Sequence, residues 1–375
     1  MKRRQFLSNI VTAGGGLVIA SNIPSILNSA LVQKDKSKLG IALVGLGSYS
    51  SGQLAPALQQ TQNCYLAGIV TGTPQKEQDW AKKYNIPAGN IYNYKNFDSI
   101  ANNKDIDIVY VVLPNSMHAE YTIRAAQAGK HVICEKPMAN SIEDCQKMIN
   151  ACTKAGKKLS IGYRLYFDPF HNKMMELGQH QKYGKLTGLS SGFAFHLNDP
   201  NAWRINKELA GGGPVVDLGI YCFEGSIYTA GELPVSITAK NTTKNKDFFK
   251  QVEGSLEFEM VFPSGYSSKC ITSYEDNANF LKAEAERGTF ELSNAFSYNG
   301  IQGKTPEGPM KLNPVNQQAL QMDDFALCVK QNKSSKVPGE LGMRDVYLIK
   351  KIYEAAETGK PVMLKDMPQY LYKVK

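Results

Sequence analysis

From Lys38 to Tyr163 the chain alternates strand and helix signals without a break, and nothing else in it restricts the fold as much. Lys38 to Val44 is an apolar run with strand character, ending in Gly45-Leu46-Gly47-Ser48-Tyr49-Ser50. A helix pattern follows through Leu54 and Leu58. Tyr65 to Thr71 reads as a second strand and Gln75 to Tyr84 as a polar helix. Asp107 to Leu113, His131 to Glu135 and Leu159 to Tyr163 continue the strands. His118 to Ala128, stopped by Gly129, and Ser141 to Ala155 supply helices between them. Parallel strands require crossovers, so this order predicts a doubly wound, Rossmann-type parallel sheet with helices on both faces.

The glycine turn then acquires a mechanism. Gly45 permits the tight turn, and Gly47 lets the backbone approach a pyrophosphate resting on the helix N-terminus. Ser50 stands where the fingerprint has its third glycine and is small enough for close helix–strand packing. NAD sites place Asp or Glu at the end of the second strand to accept the ribose hydroxyl. Here that position reads Val70-Thr71-Gly72-Thr73-Pro74-Gln75-Lys76, with no carboxylate before Glu77. Thr71 and Thr73 donate hydrogen bonds and Lys76 adds charge, which favours the 2′-phosphate of NADP. Thr73-Pro74 also reads as a helix cap with proline at the first helical position. Leu113-Pro114-Asn115 ends a strand at the edge facing the ligand crevice, so Asn115 and His118 are expected near the ribose or nicotinamide. His118 reads equally well as a helix-start residue satisfied by local backbone.

Glu135-Lys136-Pro137 ends another strand and directs Lys136 into the same crevice. Beside a cationic nicotinamide ring its pKa is expected to be depressed. Asp217 and Tyr221 follow Gly211-Gly212-Gly213-Pro214 and are four residues apart, hence on one helix face. The glycine run is expected to let substrate approach the backbone. Asp217 accepts sugar hydroxyls in this reading, and Tyr221 shuttles a proton if a nearby cation, Lys136, lowers its pKa. A capping Asp and a packed Tyr satisfy the same spacing.

Beyond Tyr163 the texture changes. Ser255 to Phe262 alternates, with Leu256, Phe258, Met260 and Phe262 on one face, and Phe280 to Leu292 reads as two strands around Arg287-Gly288. This predicts an α+β second domain with an open, mainly antiparallel sheet. The resulting division is an export signal at 1–30, a short arm at 31–37, a Rossmann domain at 38–163 and a substrate-binding and oligomerisation domain at 164–375. A last helix at 340–358 is expected to pack back on the Rossmann domain. At 375 residues, with 42% hydrophobic and 21% charged residues, the chain suits two soluble domains.

Lys2-Arg3-Arg4-Gln5-Phe6-Leu7 and the apolar run Ile10 to Ala20 resemble a twin-arginine export signal, which predicts a periplasmic protein delivered by the Tat machinery with no membrane contact after export. Its three basic residues reduce the formal charge of +9 to +6 once removed. The remaining charge is scattered, without a basic helix interleaved with aromatics, so nucleic acid is not expected. Seven cysteines lack C-x-x-C or metal-ligand spacing, so no metal is expected.

These motifs resemble the Gfo/Idh/MocA oxidoreductase family over nearly the whole chain after the signal. The likeness runs through Gly45-Leu46-Gly47, Ile91-Tyr92-Asn93-Tyr94, Leu113-Pro114-Asn115-Ser116-Met117-His118, Cys134-Glu135-Lys136-Pro137-Met138 and Ile161-Gly162-Tyr163-Arg164. It continues through Trp203-Arg204, Glu208 to Gly213, Asp217 to Tyr221 and Pro338-Gly339-Glu340. The resemblance implies NADP contacts at Thr71, Lys76, Tyr94, Asn115, Glu135, Lys136, Arg164, Trp203 and Arg204. Leu46, Ser48, Tyr49, Leu113, Pro114 and His118 complete the expected cofactor set. It implies sugar and proton chemistry at Lys136, Asp217 and Tyr221, and a dimer or tetramer through the open sheet. Many relatives carry His at the position of Tyr221; tyrosine favours the branch that includes glucose–fructose oxidoreductase. That branch has a long proline-rich arm after its signal, and only Leu31 to Lys38 stand there here. An NAD-dependent glycosidase and a non-catalytic sugar sensor are the alternative readings of the same fold. The first needs an NAD-type ribose site, and the second has no need of Lys136 and Tyr221.

Overall fold

The computed structural model describes residues 37–374. The predicted export signal lies outside the described residues.

The first sheet contains β1 (Leu39–Val44), β2 (Cys64–Val70), β3 (Ile91–Tyr92), β4 (Ile108–Val111), β5 (His131–Cys134) and β6 (Leu159–Ile161). Its strand order is β3-β2-β1-β4-β5-β6, and every pairing is parallel. This is the doubly wound order with its switch point between β1 and β4. The strands are shorter than their apolar runs suggested. Glu135 and Tyr163 fall just past their strands, in the loops at the crevice edge. β3 is only two residues long, too short to leave an alternating pattern in the sequence.

The second sheet contains β7 (Leu186–Ala194), β8 (Ser236–Asn241), β9 (Ser255–Val261), β10 (Ser267–Ser273), β11 (Ala278–Ala285), β12 (Gly288–Ser293), β13 (Gln302–Thr305), β14 (Gly308–Pro309) and β15 (Val362–Met363). The order is β14-β13-β12-β11-β7-β10-β9-β8-β15. Only β7 and β10 pair in parallel; the other pairs are antiparallel. On β9 the inward side chains Leu256, Phe258 and Met260 are buried, whereas Glu257 is exposed. Ser255, expected on the polar face, is also buried because its hydroxyl accepts from Thr242 and donates to the Thr272 carbonyl.

The helix Ile220–Ala230 lies on β7, β10 and β11 and carries the predicted phenol. Its position is set partly by Arg344, which is fully buried and paired with Glu224 of this helix and with Asp345. Tyr166 donates to the same Glu224 carboxylate at 2.6 Å. The helix Gly339–Thr358 packs against both the helix Ile142–Lys154 and β8, so it touches both sheets. Gly342 makes this approach possible: a Cβ there would lie 2.9 Å from Met138 Cβ and 3.0 Å from Ile161. Among the described residues no helix is long and apolar enough to cross a membrane. All seven cysteines are buried and free.

Candidate active site

The turn after β1 shows what its glycines are for. Gly45 has φ +91°, and a Cβ there would strike the Val112 carbonyl at the end of β4. Gly45→Ala is therefore expected to destabilise by about 1–3 kcal/mol through backbone strain, with the collision adding to it; an unchanged urea midpoint would contradict this. Gly47 is different. It is exposed, and a Cβ on it would meet no protein atom within 4 Å. It leaves the backbone at the head of the following helix open to approach, as a pyrophosphate cradle would require. Ser50 is fully buried and donates to the Gly45 carbonyl at 2.6 Å, so it ties turn to helix. That helix begins with a π turn at Ser50–Leu54.

At the end of β2, Thr71 Oγ1 accepts the Thr73 amide at 3.3 Å, and Thr73 occupies the cap position without a side-chain cap bond. Lys76 reaches across to donate to the Leu46 carbonyl at 2.9 Å. Its ammonium thus stands beside the glycine turn, where a 2′-phosphate or pyrophosphate would need a cation. Tyr94 lies close under Gly72 and against Tyr121. The open glycine turn, the absent carboxylate and the cation together fit a phosphorylated dinucleotide.

Lys136 leaves the end of β5 and donates to Asp217 twice, to the backbone carbonyl at 2.9 Å and to Oδ1 at 3.1 Å. Asp217 Oδ2 accepts from Arg204 at 2.8 Å and from the Tyr274 hydroxyl at 3.0 Å. Burial alone would raise the Asp217 pKa, but Lys136 and Arg204 overcome it and hold the carboxylate well below its usual range. Burial also works against charge on Lys136, yet Tyr221, Asp217 and Glu135 outweigh it and push the ammonium pKa up. Two carboxylates, Asp217 and Glu135, flank the lysine, and the expected depression beside a cationic nicotinamide ring would have to overcome them.

Tyr221 is half-buried, one helical turn past Asp217. Lys136 Nζ lies 4.8 Å from its ring centroid and the Arg164 guanidinium 5.2 Å. Phe193 and Phe296 hold the ring at 5.6 Å and 5.9 Å. Lys136, Asp217 and Tyr221 line one cavity of about 490 Å³, walled on its apolar side by Phe193, Phe195 and Phe296. Tyr298 completes it, 40% exposed, with its ring 5.9 Å from Tyr49. Burial pushes the Tyr49 and Tyr274 phenols well above the usual range, so both remain protonated. A carboxylate, an ammonium and a phenol thus meet on one cavity edged by the β5 end of a nucleotide-binding sheet. This arrangement suits proton transfer at a hydroxylated carbon beside a hydride acceptor.

Comparison with known proteins agrees. Residues 39–163 match the oxidoreductase family with an NAD-binding Rossmann fold, and residues 171–291 match the GFO/IDH/MocA C-terminal domain. The solved aldose-aldose oxidoreductase from Caulobacter crescentus, complexed with glycerol, is 39% identical. That alignment covers 87% of this chain and 100% of that one, with a TM-score of 0.85. The chain belongs to the Gfo/Idh/MocA oxidoreductase family. It is an oxidoreductase. D-xylose 1-dehydrogenase [NADP(+)] of Haloarcula marismortui is 26% identical over 86% of this chain and 92% of that protein. The 1,5-anhydro-D-fructose reductase of Ensifer adhaerens is 23% identical over 70% and 81%.

Within this Gfo/Idh/MocA site several of the residues expected on the cofactor are engaged by protein partners, and Arg164 lines the same cavity as Lys136, Asp217 and Tyr221. His118 is 1% exposed, and both ring nitrogens meet carbonyls, Pro137 and Leu113, at 2.8 Å. Burial lowers its pKa against those two partners. It braces the β4 and β5 loops to each other, as a helix-start residue satisfied by nearby backbone. Asn115 is buried too and donates to the Ala210 carbonyl at 2.8 Å, tying the Leu113-Pro114 loop to the segment before Gly211. Glu135 is buried behind its strand end, accepting from Tyr110 at 2.6 Å, and burial raises its pKa. Tyr110 in turn accepts from Gln321 at 2.8 Å. Arg164, expected on the cofactor, is 1% exposed and lies beneath Tyr221. It donates to the carbonyls of Phe296 and Ser297 and to Gln317, so it sets the loop that carries Tyr298. Arg204, with Trp203 4.9 Å from its guanidinium, is turned toward Asp217.

The glycine run, expected from the sequence to open toward substrate, closes on protein instead. Cβ atoms on Gly211, Gly212 and Gly213 would strike Asn140, Tyr353 and Glu253 respectively. The run admits protein, not substrate. Tyr274, Tyr298 and the phenylalanine wall were not anticipated, because no motif marks them.

Proposed function

We propose that this enzyme is an NADP-dependent sugar oxidoreductase that oxidises the C1 hydroxyl of a pyranose to a lactone and reduces sugar carbonyls by the reverse path. The convergence of Lys136, Asp217 and Tyr221 on one aromatic-walled cavity carries this reading. Gly45 to Gly47, Thr71 and Lys76 would hold the dinucleotide. When bound, it supplies the acceptor or donor of the hydride. Tyr221 takes the hydroxyl proton as the C1–H bond breaks and returns it in the reverse direction. The two cations within about 5 Å of its ring, Lys136 and Arg164, stabilise the negative charge that develops on oxygen. Lys136 polarises the reacting sugar oxygen. Asp217 Oδ2 is already saturated by Arg204 and Tyr274, so only Oδ1 retains capacity for a sugar hydroxyl. The phenylalanine wall packs against the apolar face of the ring. The NADP-linked sugar dehydrogenases and the aldose-aldose oxidoreductase among its relatives support the same reading.

Incubating the protein with NADP and a panel of aldopyranoses, while following reduced-nicotinamide absorbance, tests the activity. The reading fails if neither lactone nor reduced cofactor forms and NADPH with free aldoses is also inert. Cofactor choice has its own test. Lys76→Ala is expected to weaken NADP by about tenfold or more, as loss of one charge-assisted phosphate contact would. NAD affinity should stay nearly constant. Fluorescence titration reads both, and a parallel loss for the two cofactors would remove Lys76 from the 2′-phosphate.

A further inference from the structure

A second cavity, of about 780 Å³, shares no lining residue with the active-site cavity. It lies between the short helix Lys207–Ala210, the loop from β8 to β9 and the helix Gly339–Thr358. Lys207, Lys246, Lys250 and Lys350 converge on it from these three elements. None forms an ion pair among the described residues, whereas the nearby Lys244 and Lys351 are paired outside this set, with Asp276 and Glu354. The carboxylates of the lining do not balance them. Glu354 is taken by Lys351. Glu253 is buried and committed to the amides of Gly213 and Val215 and to the Tyr353 hydroxyl. Only Glu357 remains. Four like charges on one concave, partly apolar surface repel each other and focus a positive field into it.

The loop that presents two of them is built rather than loose. The amides of Lys244 and Asn245 donate to Glu275 at 3.0 Å and 2.6 Å, and the Gly254 amide donates to Thr243 Oγ1 at 2.9 Å. Phe249 and Val252 form the floor of the cavity, packed from behind by Leu218 and Tyr274.

We propose that this cavity is a second binding site, for a small organic polyanion bearing at least two phosphate or carboxylate groups. The ligand supplies the counter-charge that Glu357 alone cannot give the four lysines. It sits against the same Glu253–Tyr353 pair that holds the amides of Gly213 and Val215, two residues before Asp217.

Calorimetric titration of the NADP-saturated protein tests the site, with citrate as the carboxylate probe, fructose 1,6-bisphosphate as the phosphate probe and neutral glucitol as control. Saturable binding of one or both anions is expected, and which one binds identifies the group recognised. Affinity should fall by about tenfold or more in the double variant Lys246→Gln/Lys250→Gln and again in Lys207→Gln, as charge-assisted contacts are lost. It should be unchanged in Lys136→Gln and in the surface control Lys282→Gln. The proposal is overturned if neither anion binds better than glucitol. It is equally overturned if Lys282→Gln weakens binding as much as the cavity variants, or if Lys136→Gln abolishes it. The four lysines are exposed, so the variants should fold, and circular dichroism checks this.

Discussion

Tyr221→Phe is expected to lower sugar turnover by about 10²–10⁴-fold, the usual contribution of a positioned general acid–base group. NADP affinity should remain within about twofold, because the ring and its packing on Phe193 and Phe296 survive the loss of one oxygen. Steady-state rates with NADP and an aldose, beside a fluorescence titration of the cofactor, separate the two effects. A variant that turns over at the wild-type rate would remove Tyr221 from the chemistry. One that loses rate only in proportion to lost cofactor would make the phenol a binding group. A control comes from Tyr298→Phe. The Tyr298 ring packs on Tyr49 and takes no part in the Lys136–Asp217 hydrogen bonds, so deleting its oxygen should change turnover far less.

The second large effect concerns the ion cluster. Lys136→Gln removes the ammonium that touches Asp217 twice and faces the Tyr221 ring. Turnover should fall by at least about 10²-fold, since charge stabilisation at the reacting oxygen is lost. Stability should fall by only about 1.5–3 kcal/mol, the scale of a hydrogen bond to a charged group, because Arg204 and Tyr274 still hold Asp217. The pH dependence has a definite sign. The folded-state pKa of Asp217 lies below its unfolded value of about 3.9. Its stabilisation is therefore complete above that pH and is lost as pH falls through the folded-state value. The stability gap between wild type and Asp217→Asn should be constant from pH 7 to about pH 5 and shrink below about pH 4. Urea midpoints across that range test it. A gap that widens toward acid would mean that Asp217 is not held ionised by its neighbours.

Much of the architecture was legible because period and punctuation carry it. Alternating apolar runs and amphipathic helices, with Gly45 and Gly129 at their turns, led directly to the parallel sheet. The alternation from Ser255 to Phe262 led to the half-buried strand β9. Strand ends were placed too late, since apolar side chains continue into loops that pack on the sheet edge. At the site, the strand-end position of Lys136 and the four-residue spacing of Asp217 and Tyr221 brought the central residues together. Side-chain direction was less accessible. His118 and Asn115 lie in motifs near the crevice, yet each turns inward onto protein carbonyls, whereas Arg164 is held by Phe296, Ser297 and Gln317 and still lines the cavity. Gly211 to Gly213 read as a substrate approach, although the partners that require them, Asn140, Tyr353 and Glu253, are far away in sequence.

Local chemistry was sufficient for what depends on neighbours along the chain: the glycine turn, the carboxylate-free end of β2, and a lysine aimed out of a strand. Long-range pairing alone decided the rest. Because β7 and β10 run parallel, Phe195 and Tyr274 emerge from the same end of the sheet, their rings 5.4 Å apart. Tyr274 can then reach Asp217, 57 residues earlier in the chain. No periodicity encodes such a contact. It exists because hydrogen bonding between backbones fixes strand register, and register fixes which side chains share a cavity.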